Sequence, residues 1–186
     1  MGEIQFEAFD KIPRLRRGCV ITEKIDGTNA QVCIDADGVM KVGSRNRWIT
    51  PDEDNYGFAR WCKENEAELL KLGPGRHFGE WWGAGIQRRY GVPDKRFSLF
   101  NVGRWSNPEA AQFALPSCCL TVPILYSGEF NDSAIQACME RLKREGSVAA
   151  PGFMDPEGIV VFHTASRTLH KVTLGNDGHK EAKGAA

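Results

Sequence analysis

A chain of 186 residues, 41% of them hydrophobic and 10% aromatic, is long enough to bury one substantial core and short for two. Its 24 Lys and Arg balance 24 Asp and Glu, so net charge gives no evidence for a polyanionic partner and a nucleic-acid role has to be argued from sites. The 6 cysteines lack zinc-ligand spacing, which favours reduced thiols. No apolar run is long enough for a signal peptide or membrane span, which predicts a cytoplasmic protein without membrane contact.

The first predicted elements are three strands. Cys19 to Lys24 has the apolar content of a buried strand, 29–35 alternates between apolar and polar residues, and the Asp37-Gly38 turn leads into a third strand that ends at Gly43. Three consecutive strands joined by short turns predict a β-meander.

Two helices and four more strands are predicted downstream. Apolar residues at helical spacing indicate one helix over 56–70, and Asn131 or Asp132 caps a second that continues to about residue 144. The further strands are predicted around 77–81, 96–102, 158–162 and 168–174. Strands therefore outnumber helices.

Lys24 lies at the end of the first strand, one residue before the Asp26-Gly27 turn. A strand end presents a side chain from a rigid support, and Gly27 allows the backbone to approach a ligand closely. Lys-x-Asp-Gly alone is a weak signal, because Asp-Gly turns are common and a lysine at a strand end is usually solvated. The case for a nucleophile depends on residues further along the chain.

Four later residues have side chains suited to a nucleotide. Glu80, in an aromatic and glycine-flanked stretch, can accept hydrogen bonds from ribose hydroxyls, and Phe100 offers a face for a base, although core packing explains it almost as well. Glu157 suits a hard cation, and Lys171 suits a phosphate. Because a buried carboxylate without a partner is costly, a ligand explains both acids better than packing does. With Lys24 these residues predict a nucleotide site.

In order and wording, these segments resemble motifs I, III, IIIa, IV and V of the covalent nucleotidyltransferase superfamily, which holds DNA ligases, RNA ligases and mRNA-capping guanylyltransferases. Ser44-Arg45-Asn46-Arg47 resembles motif Ia, and the resemblance spans about 11–174. Asn29 stands where DNA ligases usually have Arg, and 79–90 also resembles the nick-sealing branch of RNA ligases. The resemblance implies an α+β fold, with a mostly antiparallel two-sheet nucleotidyltransferase core like that of ATP-grasp ligases and with peripheral helices.

The resemblance also implies a reaction. Lys24 would take AMP from ATP and release pyrophosphate, and the AMP would then activate an RNA 5′-phosphate for joining to a 3′-hydroxyl. A lysine attacks phosphorus only as the neutral amine, although its ordinary pKa is about 10.4. A nearby cation such as Lys171, bound Mg²⁺ or partial desolvation would favour the neutral form. The implied cofactors are ATP and Mg²⁺, with Mn²⁺ as an alternative, and the implied substrates are RNA ends or nicked duplexes in RNA repair.

The resemblance assigns further roles. The expected nucleotide-binding residues are Glu23, Ile25, Asn29, Arg45, Glu80, Phe100 and Lys171. The expected metal-binding residues are Glu157 and Asn29, and the candidate RNA contacts are Arg45, Gln87, Arg88 and Arg89. A solvated surface explains the two adjacent arginines equally well, and Arg45 could instead pair with acids at 52–54. Packing is the expected role of Trp48, Trp61 and Trp105.

Two departures from the family pattern leave alternatives open. The motif V segment has one lysine where ligases commonly have two, and only about a dozen polar residues follow it in place of a C-terminal domain. We expect one domain over 1–174, a frayed tail over 175–186, and a protein partner that replaces the missing domain. The alternatives are a nucleotide- or RNA-binding module with incomplete ligase activity, a minimal DNA ligase, and an enzyme that adenylates something other than nucleic acid.

Overall fold

The computed structural model describes residues 4–106 and 115–175. Within these ranges the strands are β1 (Gly18–Lys24), β2 (Thr28–Ile34), β3 (Met40–Ser44), β4 (Gly75–Gly83), β5 (Lys95–Leu99), β6 (Cys119–Thr121), β7 (Ile124–Glu129), β8 (Gly158–His163) and β9 (Thr168–Thr173). The helices are α1 (Phe58–Glu64), α2 (Glu66–Leu69), α3 (Val102–Trp105) and α4 (Asp132–Glu145), and a 3₁₀ turn covers Leu70–Leu72.

The strands form two sheets. The first has the order β7-β1-β8-β9 and is antiparallel throughout. The second has the order β3-β2-β4-β5-β6 and is antiparallel except for the parallel pair β5-β6. The fold is therefore α+β with two mostly antiparallel sheets, as expected.

The predicted β-meander is wrong, because β1 and β2 belong to different sheets. The chain crosses from the first sheet to the second between Lys24 and Thr28. A Cβ atom added at Gly27 would lie 2.4 Å from the carbonyl oxygen of Trp81, so this crossing passes too close to β4 for any side chain. Gly27 therefore lets the backbone pass close to β4, whereas a close approach to a ligand was expected.

Apolar clusters fix the sheets and helices in place. Phe58 on α1 packs against Trp81 and Phe97, with ring centroids 5.3 Å and 5.0 Å apart, and this covers one face of the second sheet. Leu142 on α4 packs against the first sheet. A third cluster around Trp82 joins the two sheets to each other. The opposite face of the second sheet is left for the site.

The predicted helices are partly confirmed. Asn131 Oδ1 accepts a hydrogen bond from the Ala134 N–H at 2.8 Å and caps α4, as expected. The helix predicted over 56–70 is instead divided at Asn65 into α1 and α2. Among the described residues, no helix has the length and apolar content that a membrane crossing requires.

Three strands differ from expectation. β6 and β7 are not predicted by the sequence pattern, and β5 ends at Leu99 because Asn101 caps α3. Residues 176–186, which include most of the predicted tail, lie outside the described residues.

Candidate active site

Lys24 and Glu157 meet at the ends of neighbouring strands. The register of β1 and β8 places Lys24 opposite Gly158, directly after Glu157. Lys24 Nζ donates a hydrogen bond to Glu157 Oε2 at 2.6 Å, and the two side chains are 25% and 17% exposed. The predicted nucleophile and the predicted metal ligand therefore form a charge-assisted pair that a ligand can reach.

Glu80 lies on β4. Its carboxylate is buried and accepts hydrogen bonds only from uncharged groups. Oε1 accepts from the Gly27 N–H at 3.0 Å, and Oε2 accepts from Asn29 Nδ2 at 3.0 Å. Burial raises the pKa of Glu80 to about 7, against the lowering effects of the Lys24 charge and of these two hydrogen bonds. A carboxyl group that titrates near neutral pH beside a lysine is typical of functional sites.

The register also brings Lys171 to this side of the first sheet. Thr22 on β1 lies opposite Val160, and Val160 lies opposite Lys171 on β9. Directly opposed residues share one face, and so do residues two apart on a strand, so Lys171 is on the same face as Lys24. Lys171 is exposed, as a residue that contacts a phosphate must be.

Phe100 lies just beyond β5 on the face of the second sheet that carries Glu80. Glu80 is opposite Ser98, and the Phe100 N–H donates to the Phe78 carbonyl at 2.9 Å, which extends the pairing by two residues. The Phe100 ring is 41% exposed and is not in the core. This position agrees with the expected stacking role.

The two neighbours of Lys24, which are expected to lie at the nucleotide, both have buried side chains. Glu23 accepts hydrogen bonds from Ser147 Oγ at 2.5 Å and from the N–H groups of 148–149 at 2.8 and 2.9 Å, and burial raises its pKa. Ile25 is 4% exposed and packs in the cluster between the sheets. Both side chains are thus held within the protein, and the expected nucleotide contacts of Glu23 and Ile25 stay predictions.

Arg88 is also engaged by the protein itself. Its Nε donates to Asp26 Oδ2 at 3.0 Å, and its Nη1 donates to Asp155 Oδ2 at 2.6 Å. The guanidinium thus links the turn after Lys24 to the loop before Glu157, and the RNA contact at Arg88 stays a prediction. No pattern in the sequence singles out Asp155 apart from its place two residues before Glu157.

The loop around Arg88 has an unusual backbone. Gln87, Arg89 and Tyr90 have φ values of 44°, 61° and 51°, in the left-handed region that side chains rarely adopt. The hydroxyl of Tyr90 accepts a hydrogen bond from the Asp26 N–H at 2.8 Å, so the loop holds the same turn at a second point. Gln87 and Arg89 are exposed and stay predicted RNA contacts.

Arg45 lies in the bend that follows β3 and is exposed. It forms no ion pair with the part of the chain that the structure describes, whereas Arg47 pairs with Glu53 at 3.6 Å. Trp61 and Trp105 pack in the core as expected. Trp48 does not, because its side chain is 47% exposed.

The residues present fit a divalent cation that is held mostly by substrate and water. No group of three or more His, Cys, Asp or Glu in the described ranges could hold a metal ion. Mg²⁺ commonly needs only one or two carboxylates, with phosphates and water completing its coordination. Glu157 supplies such a carboxylate. Asn29, whose amide nitrogen donates to Glu80, has its oxygen available as a second hard donor.

Comparisons with known proteins identify a family and a fold. The RNA ligase family model matches residues 17–173, which include all nine strands. No curated protein matches the chain. Similar solved structures include Naegleria gruberi RNA ligase with PPi, at TM-score 0.59 and 21% identity over 86% of this chain and 50% of that chain. A point mutant of that enzyme with ATP and Mn has TM-score 0.59 and 20% identity over 87% of this chain and 50% of that chain.

Another point mutant with ATP and Mn has TM-score 0.54 and 22% identity, over 86% of this chain and 50% of that chain. The chain thus spans about half the length of these solved structures, and at this identity they show a shared fold. The family-model match, in contrast, extends over most of the sequence. The chain therefore belongs to the RNA ligase family.

Proposed function

We propose that the chain is the adenylyltransferase domain of an ATP-dependent RNA ligase that seals RNA 5′-phosphate and 3′-hydroxyl ends in RNA repair. The observation that carries this proposal is the contact of 2.6 Å between Lys24 Nζ and Glu157, on the sheet face that also carries Lys171. The similar RNA ligases that were solved with ATP and Mn support ATP as the nucleotide and a divalent cation as the cofactor.

The proposed first step is nucleotidyl transfer to Lys24. The neutral amine attacks the α-phosphorus of ATP and a P–N bond forms. The bond from the α-phosphorus to the bridging oxygen breaks, and pyrophosphate leaves with the electron pair. The protons of the former ammonium pass to solvent, and a lysyl-AMP remains. Before this step the Lys24 ammonium has to lose a proton, because an ammonium has no lone pair to offer.

The surrounding side chains position the nucleotide for that attack. In this proposal Glu80 accepts hydrogen bonds from ribose hydroxyls, Phe100 stacks on the base, and Lys171 contacts the α-phosphate. A divalent cation at Glu157 and Asn29 would offset the negative charge that develops on the phosphate oxygens.

The later proposed steps use the bound AMP on RNA. An oxygen of the RNA 5′-phosphate attacks the AMP phosphorus, a P–O bond forms, and the Lys24 amine is released. The 3′-hydroxyl then attacks the activated 5′-phosphate, and AMP leaves as the new phosphodiester forms.

Retention of labelled AMP on the protein tests the proposal. Wild type is incubated with α-labelled ATP and Mg²⁺, denatured, and assayed for bound label, with GTP in parallel. We expect label on wild type and on the control Lys63→Ala, whose lysine is exposed on α1, and none on Lys24→Ala. Folded wild type without label, or equal labelling of Lys24→Ala, would contradict the proposal.

A second candidate is a nucleotide- or RNA-binding module with incomplete ligase activity. It is favoured because the segment that resembles motif V has one lysine, Lys171, where ligases commonly have two. Labelled protein given nicked duplexes with RNA or DNA at the 3′-hydroxyl side separates the possibilities. Joining of RNA supports the ligase, label without joining supports the module or a missing partner, and preferential joining of DNA supports a minimal DNA ligase.

A further inference from the structure

The register of the second sheet aligns a row of side chains directly outside the candidate nucleotide site. Asn29, Glu80 and Ser98 are opposite one another on β2, β4 and β5. Two residues further out on β2 and β4, Gln31 is opposite Phe78. Because residues two apart on a strand share a face, this second row lies on the same face as the first.

The second row continues past the sheet edge to Trp48. Gln31 is also opposite Gly43 on β3, and Gly43 pairs with Trp48 in an antiparallel bridge. A Cβ at Gly43 would lie 3.1 Å from the Gln31 side chain, so this position suits glycine and the Gln31 side chain lies over it. The row from Trp48 to Phe78 crosses three strand spacings, or about 14 Å.

Both aromatic ends of this row are open to solvent. Trp48 is 47% exposed and Phe78 is 51% exposed, although each lies on a sheet whose other face is a packed core. The described residues therefore leave two large rings uncovered on one face, beside a nucleotide site. We call Trp48, Gln31, Phe78, Arg76 and Lys41 the stacking surface.

Two cations border the aromatic row. Cys33 is opposite both Arg76 and Lys41, which places these two side chains in the next row outward on the same face. The Arg76 guanidinium lies 5.7 Å from the Trp48 ring centroid and also donates to Gln31 at 3.3 Å. The stacking surface therefore combines open π faces with positive charge, although the whole chain has a formal net charge of +0.

We propose that the stacking surface binds the terminal nucleotides of a single RNA strand and leads its end to Lys24. Aromatic faces and a bordering line of cations are the two elements with which proteins hold single-stranded nucleic acid, the rings stacking on bases and the cations contacting phosphates. The surface is continuous with the Asn29 and Glu80 row, so a strand lying on it ends at the reacting phosphate. This inference deepens the proposed ligase function and rests on it for the direction of the strand.

Binding measured without ATP tests the stacking surface independently of catalysis. The probe is a fluorescein-labelled, 5′-phosphorylated single-stranded oligoribonucleotide, titrated against wild type, Trp48→Ala and Arg76→Gln. The matched controls are Leu70→Ala and Lys63→Gln, an exposed apolar and an exposed cationic residue on the helical side of the same sheet. Thermal unfolding establishes that every variant is folded.

We expect Trp48→Ala and Arg76→Gln each to raise the Kd for the oligoribonucleotide about 10-fold, with both controls within about twofold of wild type. Arg76→Gln also lowers the slope of log Kd against log salt by about 0.7, because one phosphate contact is lost. Labelling of Lys24 by ATP, measured without RNA, stays within about twofold in both variants, since neither residue belongs to the nucleotide row.

Other outcomes overturn the inference. Wild type that does not bind the probe, or variants that bind like wild type, would remove the RNA role. Loss of ATP labelling in folded Trp48→Ala would assign the surface to the nucleotide pocket. A dimer in sedimentation that Trp48→Ala abolishes would assign it to a second copy of the chain. If wild type is never labelled by ATP but the variants weaken RNA binding as expected, the ligase proposal fails and the RNA surface stands.

Discussion

The two sheets bring carboxylates of different character to one site. On the first sheet, Glu157 is paired at 2.6 Å with the ammonium of Lys24. On the second, Glu80 is 7% exposed and accepts hydrogen bonds only from uncharged groups, and burial is the main cause that raises its pKa to about 7. The first sheet thus supplies a carboxylate whose charge is balanced by an ammonium. The second supplies a buried carboxyl group whose charged form is disfavoured by burial.

Among the predicted changes, removal of the Glu157 charge has the largest expected effect, which is on the rate of labelling of Lys24. We expect Glu157→Gln to slow the labelling of Lys24 by at least about 10²-fold and to raise the Mg²⁺ concentration at half-maximal rate, because both the metal contact and a charge beside the α-phosphate are weakened. Single-turnover labelling over a Mg²⁺ series measures both effects. Glu129→Gln, an exposed acid on β7, is the control. An unchanged Mg²⁺ dependence would contradict the assignment.

Glu80 is tested by the pH dependence of stability. Its carboxyl has an ordinary pKa of 4.5 and a raised value of about 7 in the folded protein. Between pH 4.5 and 7, the Glu80 carboxyl is ionised in the unfolded chain but still protonated in the folded protein. Wild type therefore loses stability as the pH rises from 4.5 to 7. We expect wild type to lose up to about 3 kcal/mol relative to Glu80→Gln across that interval, with a constant difference on either side. Denaturant unfolding at stepped pH measures this, and parallel curves would show that Glu80 is not buried as described.

Arg88 joins the two regions and has the smallest expected effect. It links the loop that follows β4 to Asp26 and Asp155. Asp26 is two residues after Lys24, and Asp155 is two residues before Glu157. We expect Arg88→Gln to slow labelling about 10-fold, with partial recovery in Arg88→Lys, because reacting groups that are no longer held in place lose rate. Arg89→Gln, an exposed neighbour in the same loop, is expected to label like wild type. Equal rates in both glutamine variants would limit Arg88 to stability.

Local patterns predict most of the strands but not which strands pair. β1 and β8 follow from runs of apolar residues, β2 follows from the alternation of apolar and polar residues, and the α4 cap follows from Asn131. The meander prediction fails because strand periodicity contains no information on the partner strand, and the crossing at Gly27 resembles any Asp-Gly turn. β7 escapes prediction because its residues are all half-buried or exposed and show no alternation of apolar and polar positions.

The site shows the same limit. Resemblance identifies Lys24, Glu80 and Glu157, and the structure brings Lys24 and Glu157 into contact. The resemblance cannot show that Glu23 binds the backbone of 148–149, or that Arg88 binds two acids of its own chain. Those partners come from distant segments that only folding brings together. The sequence does not predict the exposure of Trp48 either, since tryptophan side chains are highly buried on average.

The division of the chain between the sheets also orders assembly in time. All five strands of the second sheet come from the continuous stretch 28–121, whereas β1 must wait for β7 and β8, which end at Glu129 and His163. During synthesis on the ribosome, all strands that carry Glu80 and the stacking surface emerge before β7 and β8 do. The pair of Lys24 and Glu157 can form only after β8 has emerged from the ribosome.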